Sequence, residues 1–148
     1  MAVSNLVEQW ILAARRGENP RVISRMPSGW LVIGDVQPLP GYCVLLADPI
    51  VPGPNAMSEA DRARYALDMF RVGDALMAVA SAYRINYETL GNLVPSLHTH
   101  IIPRFLSEPD DQRRERAAVA YDWVKARPFD PATDGPLMAR MRARLEAN

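Results

Sequence analysis

The chain has 148 residues, of which 49% are hydrophobic, so it is long enough for one domain with a substantial core. Its 17 Lys and Arg residues balance 17 Asp and Glu residues, which argues against a protein that wraps nucleic acid through bulk electrostatics. The first residues carry no basic segment followed by an apolar one, and no uncharged apolar run approaches membrane-spanning length. We therefore expect a cytoplasmic protein that binds neither nucleic acid nor a membrane.

The N-terminal part of the chain predicts one short helix followed by three strands. Apolar residues recur at helical spacing over 5–15, with Ser4 as the expected N-cap and Gly17 as the stop. β-Branched and apolar residues interrupted by turns then predict strands over 21–25, 30–33 and 42–47. Prolines and glycine in 50–55 exclude regular structure and indicate a linker.

The longest predicted element is a helix over 58–83. Ser58 followed by Asp61 resembles a capping box at its start. Three- and four-residue spacing predicts a buried face of Ala66, Met69, Phe70, Gly73, Leu76, Met77, Ala80 and Tyr83. The opposite, exposed side is expected to carry Arg62, Arg64, Asp68 and Arg71. Gly73 would let a strand approach this helix closely.

The rest of the chain predicts two further strands and a terminal helix. Strands over 85–90 and 97–104, joined by a turn at 91–95, are expected to pair antiparallel. A charged stretch over 108–116, a break at 127–129 and a helix over 136–147 follow. The pattern predicts an α+β fold, in which a five-stranded antiparallel sheet carries the long helix and the terminal helices.

Both histidines of the chain lie in the last predicted strand, two residues apart. Alternation of side chains places Ser96, His98, His100 and Arg104 on one face of the strand. The other face is mostly apolar and is the expected core side, which leaves the histidines facing a cleft or solvent. The spacing alone does not separate a functional pair from chance placement on a solvated strand.

The sequence around the histidines resembles a known signature. The segment 91–104, Gly-Asn-Leu-Val-Pro-Ser-Leu-His-Thr-His-Ile-Ile-Pro-Arg, is similar to that of the histidine triad (HIT) superfamily, His-φ-His-φ-His-φ-φ with φ apolar, often followed by Pro-Arg. Upstream, the segment 35–46 resembles the family's Asp-x-x-Pro-x-x-Pro-Gly-His turn and the strand after it, one residue shorter and with Tyr42 where His is common. Ser96 stands where the first His of the triad belongs.

The resemblance implies a single HIT-like domain over 1–148, with a core over about 20–105 and a C-terminal extension over 106–148. It implies that His98 attacks the α-phosphorus of a nucleoside phosphoramidate, a dinucleoside polyphosphate or a similar small nucleotide. A neutral imidazole has the lone pair that this attack requires, and water would then hydrolyse the nucleotidyl-His98 intermediate. His100 would hold a phosphate oxygen or orient its neighbour. A homodimer with joined sheets is also implied, and no cofactor.

Three further residues have both a functional and a structural interpretation, and a fourth, Ser96, bears on the rate. By resemblance, Asn92 contacts the α-phosphate or the leaving group, although its side chain could instead hold a tight turn. Asp35 would accept hydrogen bonds from ribose hydroxyls, or simply initiate a turn. Arg104 would supply positive potential to a phosphate, or be solvated at the strand end. Ser96 cannot relay a proton or carry a positive charge as histidine does, which predicts weakened catalysis.

Two other classes of protein remain open at this stage. One is a nucleotide-binding module that lost turnover together with its first histidine. The other is a metal-binding protein that uses His98 and His100, but zinc needs three or four protein ligands, and Cys43 lies in an apolar run where a small buried hydrophobe is the simplest interpretation. Carboxylates would have to complete such a site.

Overall fold

The fold is a five-stranded antiparallel sheet with helices on both faces, as a computed structural model describes it for residues 4–147. The strands are β1 (Val22–Met26), β2 (Gly29–Ile33), β3 (Cys43–Ala47), β4 (Arg84–Glu88) and β5 (His98–Arg104), in the order β1-β2-β3-β5-β4. The helices are α1 (Leu6–Arg15), α2 (Glu59–Ala80), α3 (Asp110–Arg114), α4 (Ala117–Ala120) and α5 (Pro131–Glu146). The predicted α+β fold is confirmed. No helix within residues 4–147 is long and apolar enough to cross a membrane.

Each face of the sheet carries its own core. On one face, α2 and α5 cover side chains such as Leu31, Leu45 and Ile101. On the other face, which is the histidine face, Val7 and Ile11 of α1 and residues from α4 onward join a second cluster of sheet residues, Val32, Val44, Leu46 and Ile102. The histidines therefore lie in a cleft between packed elements and not on an open sheet surface.

A side-chain cap and a glycine set the two ends of α1. Asn5, and not the predicted Ser4, is the N-cap, because its side-chain oxygen accepts a hydrogen bond from the Glu8 backbone N–H at 3.0 Å. The predicted stop at Gly17 is confirmed. This residue has φ 71° and donates its N–H to the Ala14 carbonyl at 3.0 Å, which ends the helix in the left-handed conformation that glycine tolerates.

The buried face of α2 is rotated from the predicted one. Phe70 and Met77, predicted as buried, are 53% and 47% exposed. Asp68, predicted as exposed, is fully buried, and its carboxylate accepts hydrogen bonds from the N–H and the hydroxyl of Ser28 at 2.8 and 2.6 Å. The turn between β1 and β2 supplies these two donors, and they allow a charged side chain to be buried there. The helix ends at Ala80, three residues before its predicted end.

The predicted close approach at Gly73 is confirmed. A Cβ atom at this position would lie 1.9 Å from the hydroxyl of Tyr87 on β4, so only glycine leaves room for the tyrosine. Phe70 meets the same Tyr87 ring edge-on with centroids 5.4 Å apart. The contacts seat α2 directly against the edge strand of the sheet.

The terminal helix α5 is longer than predicted. It begins at Pro131 and not at 136, because the Asp130 carboxylate accepts a hydrogen bond from the Thr133 N–H at 3.1 Å and Pro131 occupies the first turn. Pro136 lies inside the helix. The charged stretch over 108–116 forms the short helix α3, and the uncharged helix α4 follows it.

Replacing Asp68 with alanine should lower the free energy of unfolding by about 1–3 kcal/mol, because two buried donors of Ser28 lose their acceptor. Urea unfolding followed by circular dichroism at pH 7 measures the change. Asp74→Ala, an exposed position on the same helix, is the matched control and should change stability by less than about 0.5 kcal/mol. Equal losses in the two variants would contradict this account of Asp68.

Candidate functional site

His98 has one ring nitrogen tied to the backbone. Its Nδ1 lies 2.7 Å from the carbonyl oxygen of Ser96. A carbonyl oxygen only accepts, so Nδ1 carries the hydrogen, and in the neutral ring Nε2 keeps its lone pair. The side chain is 8% exposed at the start of β5. The geometry therefore provides a nucleophilic nitrogen in a largely water-excluded cleft.

His100 lies beside His98 and contacts a tyrosine. The two imidazole rings meet edge-on with centroids 5.1 Å apart, and Nδ1 of His100 is 2.6 Å from the hydroxyl oxygen of Tyr42. Burial, followed by the proximity of His98, lowers the pKa of His100 to about 4, against an opposing effect of the Asp35 carboxylate. His100 is therefore neutral near pH 7 and carries a single ring N–H.

The side chain of Ser96 binds α1 and not an imidazole. Its hydroxyl donates to the Glu8 carboxylate at 3.1 Å and accepts from the side-chain amide of Asn5 at 2.8 Å. Ser96 is 3% exposed. Ser96, which the sequence resemblance aligns with the first histidine of the triad, thus fastens the first turn of α1 onto the histidine strand, and its backbone carbonyl binds His98.

An apolar cavity of about 520 Å³ opens beside the two histidines. Helix α1 and the loop between β4 and β5 form its walls, with Leu6, Val7, Trp10, Leu90, Gly91, Asn92, Leu93 and Val94. A second cavity of about 250 Å³ touches His98 from the side of the linker 52–55. The larger cavity lies within the range of small-molecule sites, about 300–1,000 Å³. Its apolar walls suit a flat, poorly hydrated group such as a nucleobase.

Asn92 and Asp35 both lie near the histidine pair. Asn92 lines the apolar cavity, and its side chain makes no hydrogen bond to any other part of residues 4–147, so the alternative that it holds a turn has no support. Asp35 is exposed and accepts a hydrogen bond from the Val36 N–H at 3.1 Å, as a turn-initiating Asp does. Its charge nevertheless acts on His100, which places it at the edge of the site.

Arg104 lies on the histidine face but far from the histidines. Six residues of strand separate it from His98, a distance of about 20 Å. Its guanidinium is buried, pairs with the Glu108 carboxylate at 2.9 Å and donates to the carbonyls of Gln112 and Glu115, each at 2.7 Å. The predicted phosphate role of Arg104 is therefore corrected. The alternation of side chains along β5 predicts the face of Arg104 correctly, but it does not take into account how far Arg104 lies from the histidines along the strand. The Arg104 side chain instead holds α3 against the sheet.

The structure gives no support to a metal site at the histidine pair. Cys43 belongs to the core beneath α2, on the other face of the sheet, and burial raises the pKa of its thiol. Among residues 4–147, no group of three or more His, Cys, Asp or Glu side chains is placed to hold a metal ion. Two imidazoles alone fall short of the three or four protein ligands that zinc takes.

Three residues of the site have no functional role in the sequence predictions. The sequence predictions mention Tyr42 only as a departure from the family pattern. Its position directly after the turn is the feature that could have indicated its place beside the histidines. Trp10, one of the apolar residues of the first predicted helix, lines the cavity. Its ring lies beneath the Arg21 guanidinium, whose Cζ is 4.1 Å from the ring centroid. Glu8 has no detectable signal, because its partner Ser96 lies 88 residues away.

Comparison with known proteins shows similarity at the level of structure. No family model and no curated protein matches the sequence. A histidine triad protein from Bradyrhizobium japonicum is 22% identical with a TM-score of 0.72, over 92% of this chain and 98% of that one. A histidine triad protein from Marinobacter aquaeolei VT8 is 17% identical with a TM-score of 0.72, over 99% and 98%.

A third solved structure agrees with these two. A hypothetical histidine triad nucleotide-binding protein from Sulfolobus tokodaii is 14% identical with a TM-score of 0.72, over 94% of this chain and 92% of that one. Identities this low carry information about the fold and not about the reaction. The likeness covers more than nine-tenths of this chain in each case, and the protein therefore has the fold of the histidine triad proteins.

Proposed function

We propose that the protein cleaves a nucleoside phosphoanhydride or phosphoramidate, such as a dinucleoside polyphosphate, at the α-phosphate through a covalent nucleotidyl-His98 intermediate. The observation that carries the proposal is the hydrogen bond from His98 Nδ1 to the Ser96 carbonyl, which leaves Nε2 with its lone pair beside a cavity of nucleoside size. The fold likeness to histidine triad proteins, one of them described as nucleotide-binding, supports it. We place this activity in the cytoplasm.

The reaction has two displacements at phosphorus. In the first, the Nε2 lone pair of His98 forms a P–N bond while the bond from phosphorus to the leaving group breaks, and the leaving group departs with the electron pair and takes up a proton from solvent water. In the second, water attacks the same phosphorus, the P–N bond breaks, and a nucleoside monophosphate is released. A ring N–H of the neutral His100 is the donor beside His98 for a phosphate oxygen that gains charge in each step.

The remaining groups sort by their chemistry. The apolar cavity takes the base, with the Trp10 indole as an aromatic wall. The Asp35 carboxylate accepts hydrogen bonds from ribose hydroxyls at the edge of the site. The Asn92 amide, which is free of partners within residues 4–147, contacts the α-phosphate or the leaving group.

A panel of adenosine phosphoramidate, dinucleoside polyphosphates and nucleotide sugars, incubated with metal-free protein, tests the reaction. We expect release of a nucleoside monophosphate that falls at least about 100-fold in His98→Ala, because the nucleophile is lost. Intact mass after a rapid quench should show one nucleotidyl group on the wild type and none on His98→Ala. His100→Ala is the matched control, since it removes the neighbouring imidazole and should slow the adduct without abolishing it. Product release unchanged in His98→Ala would overturn the covalent mechanism.

A second candidate function is a nucleotide-binding module without turnover, and the burial of Ser96 at the triad position favours it. Ser96→His separates the two. If the rest of the site is competent, the variant should release product about 10-fold faster or more, because an imidazole can relay a proton there. Ser96→Ala is the control for losing the contacts to α1 and should not gain activity. Nucleotide binding without product in both wild type and Ser96→His would establish the binding module instead.

We further propose a homodimer that joins the two sheets through β4. Among the strands of residues 4–147, β4 pairs only with β5 and so forms one edge of the sheet, where a further strand can pair. Large apolar side chains on the adjacent surface of α2 are about half exposed: Leu67, Phe70 and Met77. An edge strand beside an exposed apolar surface is the arrangement that a second copy would cover.

Sedimentation analysis at micromolar concentration should give twice the chain mass, and Phe70→Glu should shift the protein to monomer by placing a charge in the interface. Val124→Glu is the control, because Val124 is 95% exposed and lies outside the α2 and β4 surface. A wild-type monomer under these conditions would contradict the proposed dimer.

A further inference from the structure

We propose that Tyr42 is the positioning residue of the site: its phenol donates to Nδ1 of His100 and so fixes the tautomer in which His100 presents Nε2–H to a phosphate oxygen. The role of the phosphate rests on the proposed function. The contact itself belongs to the free protein and is measurable without any substrate.

The direction of this hydrogen bond follows from counting hydrogens. The two heteroatoms are 2.6 Å apart, and Tyr42 is 4% exposed. Its hydroxyl has no other hydrogen-bond partner among residues 4–147. If Nδ1–H donated to the phenol oxygen, the phenolic hydrogen would be buried without an acceptor, which is costly. The arrangement that satisfies both groups is O–H to Nδ1, and the single hydrogen of the neutral imidazole is then on Nε2.

Both partners are uncharged near neutral pH. The pKa of His100 lies at about 4, and burial raises the pKa of Tyr42 well above its usual value. The charged or titratable groups around the pair are His98 on the same strand, Cys43 next to Tyr42, Glu88 directly opposite on β4, Asp35 on the turn, and Arg21. None of these groups is hydrogen-bonded to either ring in the described chain. The hydrogen bond between the phenol and the imidazole therefore determines the tautomer of His100.

Tyr42 is held rigidly before any ligand arrives. Its ring lies over Gly34, where a Cβ atom would be 2.3 Å from the tyrosine Cδ1, and the edge of Trp123 packs against it with centroids 4.9 Å apart. Its carbonyl accepts from the Gly34 N–H and from the Gln37 side-chain amide, each at 2.9 Å. Gln37 in turn accepts from the Gly41 N–H at 3.0 Å. The phenol is therefore preorganised by the proline-rich turn.

A phenol suits this task better than the histidine that is common at the position. A hydroxyl always has a hydrogen to donate, whereas a neutral imidazole presents either a hydrogen or a lone pair. In the wrong tautomer, His100 would turn a lone pair toward a negatively charged phosphate oxygen. Because Ser96 supplies no positive charge, the site depends on this one N–H, and losing its orientation should slow the chemical step.

The experiment is nitrogen-15 NMR of the imidazoles in the free protein at pH 7, compared with Tyr42→Phe. We expect the wild-type His100 to be in the Nε2–H form with Nδ1 as a hydrogen-bond acceptor, and the variant to show a mixture of both tautomers. With a substrate that the wild type turns over, kcat should fall about 10–100-fold while KM stays within about threefold.

Tyr65→Phe is the matched control. It removes another buried tyrosine hydroxyl, which contacts Thr99 at 2.8 Å on the opposite face of the sheet, so it carries a comparable cost in stability. The His100 tautomer and kcat should be unchanged in it. An unchanged tautomer in Tyr42→Phe, or a mixed tautomer with unchanged kcat, would overturn the positioning role. Should Tyr42→Phe fail to fold, the wild-type spectrum decides, since an Nδ1–H form of His100 overturns the inference. The proposed function is tested separately, because its failure would appear as the absence of a nucleotidyl adduct on His98 in the mass measurement and not as a change in the His100 tautomer.

Discussion

The attachment of α1 to Ser96 is the contact on which the site depends. Asn5 and Glu8 bind the serine hydroxyl, while Val7 and Ile11 of the same helix pack on the histidine face of the sheet. With them, the first turns of α1 become a wall, and His98 is drawn into a cavity from which most water is excluded. The Ser96 side chain binds α1 and so helps to close the site. A low-dielectric, enclosed site strengthens every hydrogen bond that a phosphate would receive there.

The two imidazoles present opposite surfaces to the same space because their Nδ1 atoms have opposite partners. A carbonyl can only accept, so it gives His98 a free lone pair on Nε2. A phenol that donates gives His100 a hydrogen on Nε2. A lone pair and a hydrogen-bond donor thus lie side by side in two rings of identical composition. His100 is neutral near pH 7 and its N–H is oriented before a substrate arrives, which spares the reorganisation that slows such steps in water.

Local patterns predict most of the fold and part of the site. Gly17, Ser58 and Gly73 act through their own backbone or a neighbour, so their roles can be predicted from spacing. The rotation of α2 cannot be predicted from spacing, because small and apolar residues occur around much of that helix. The contact that decides the rotation, between Asp68 and Ser28, also joins residues that are 40 positions apart in the sequence. Periodicity likewise gives the face of Arg104 but not its partner Glu108. What sequence reasoning misses in the site is long-range: Tyr42 reaches His100 from 58 residues away.

The separation between α1 and its anchor has a consequence for how the protein folds. Asn5 and Glu8 lie 91 and 88 residues before Ser96, among the longest loops that the chain must close. Contacts of such high sequence separation form late, because closing a long loop costs more chain entropy than forming a local hairpin or helix. During synthesis the N-terminal helix therefore leaves the ribosome long before the strand that it covers. A chain stopped short of Ser96 therefore has the first helix but neither the serine that anchors it nor the histidine strand that it covers.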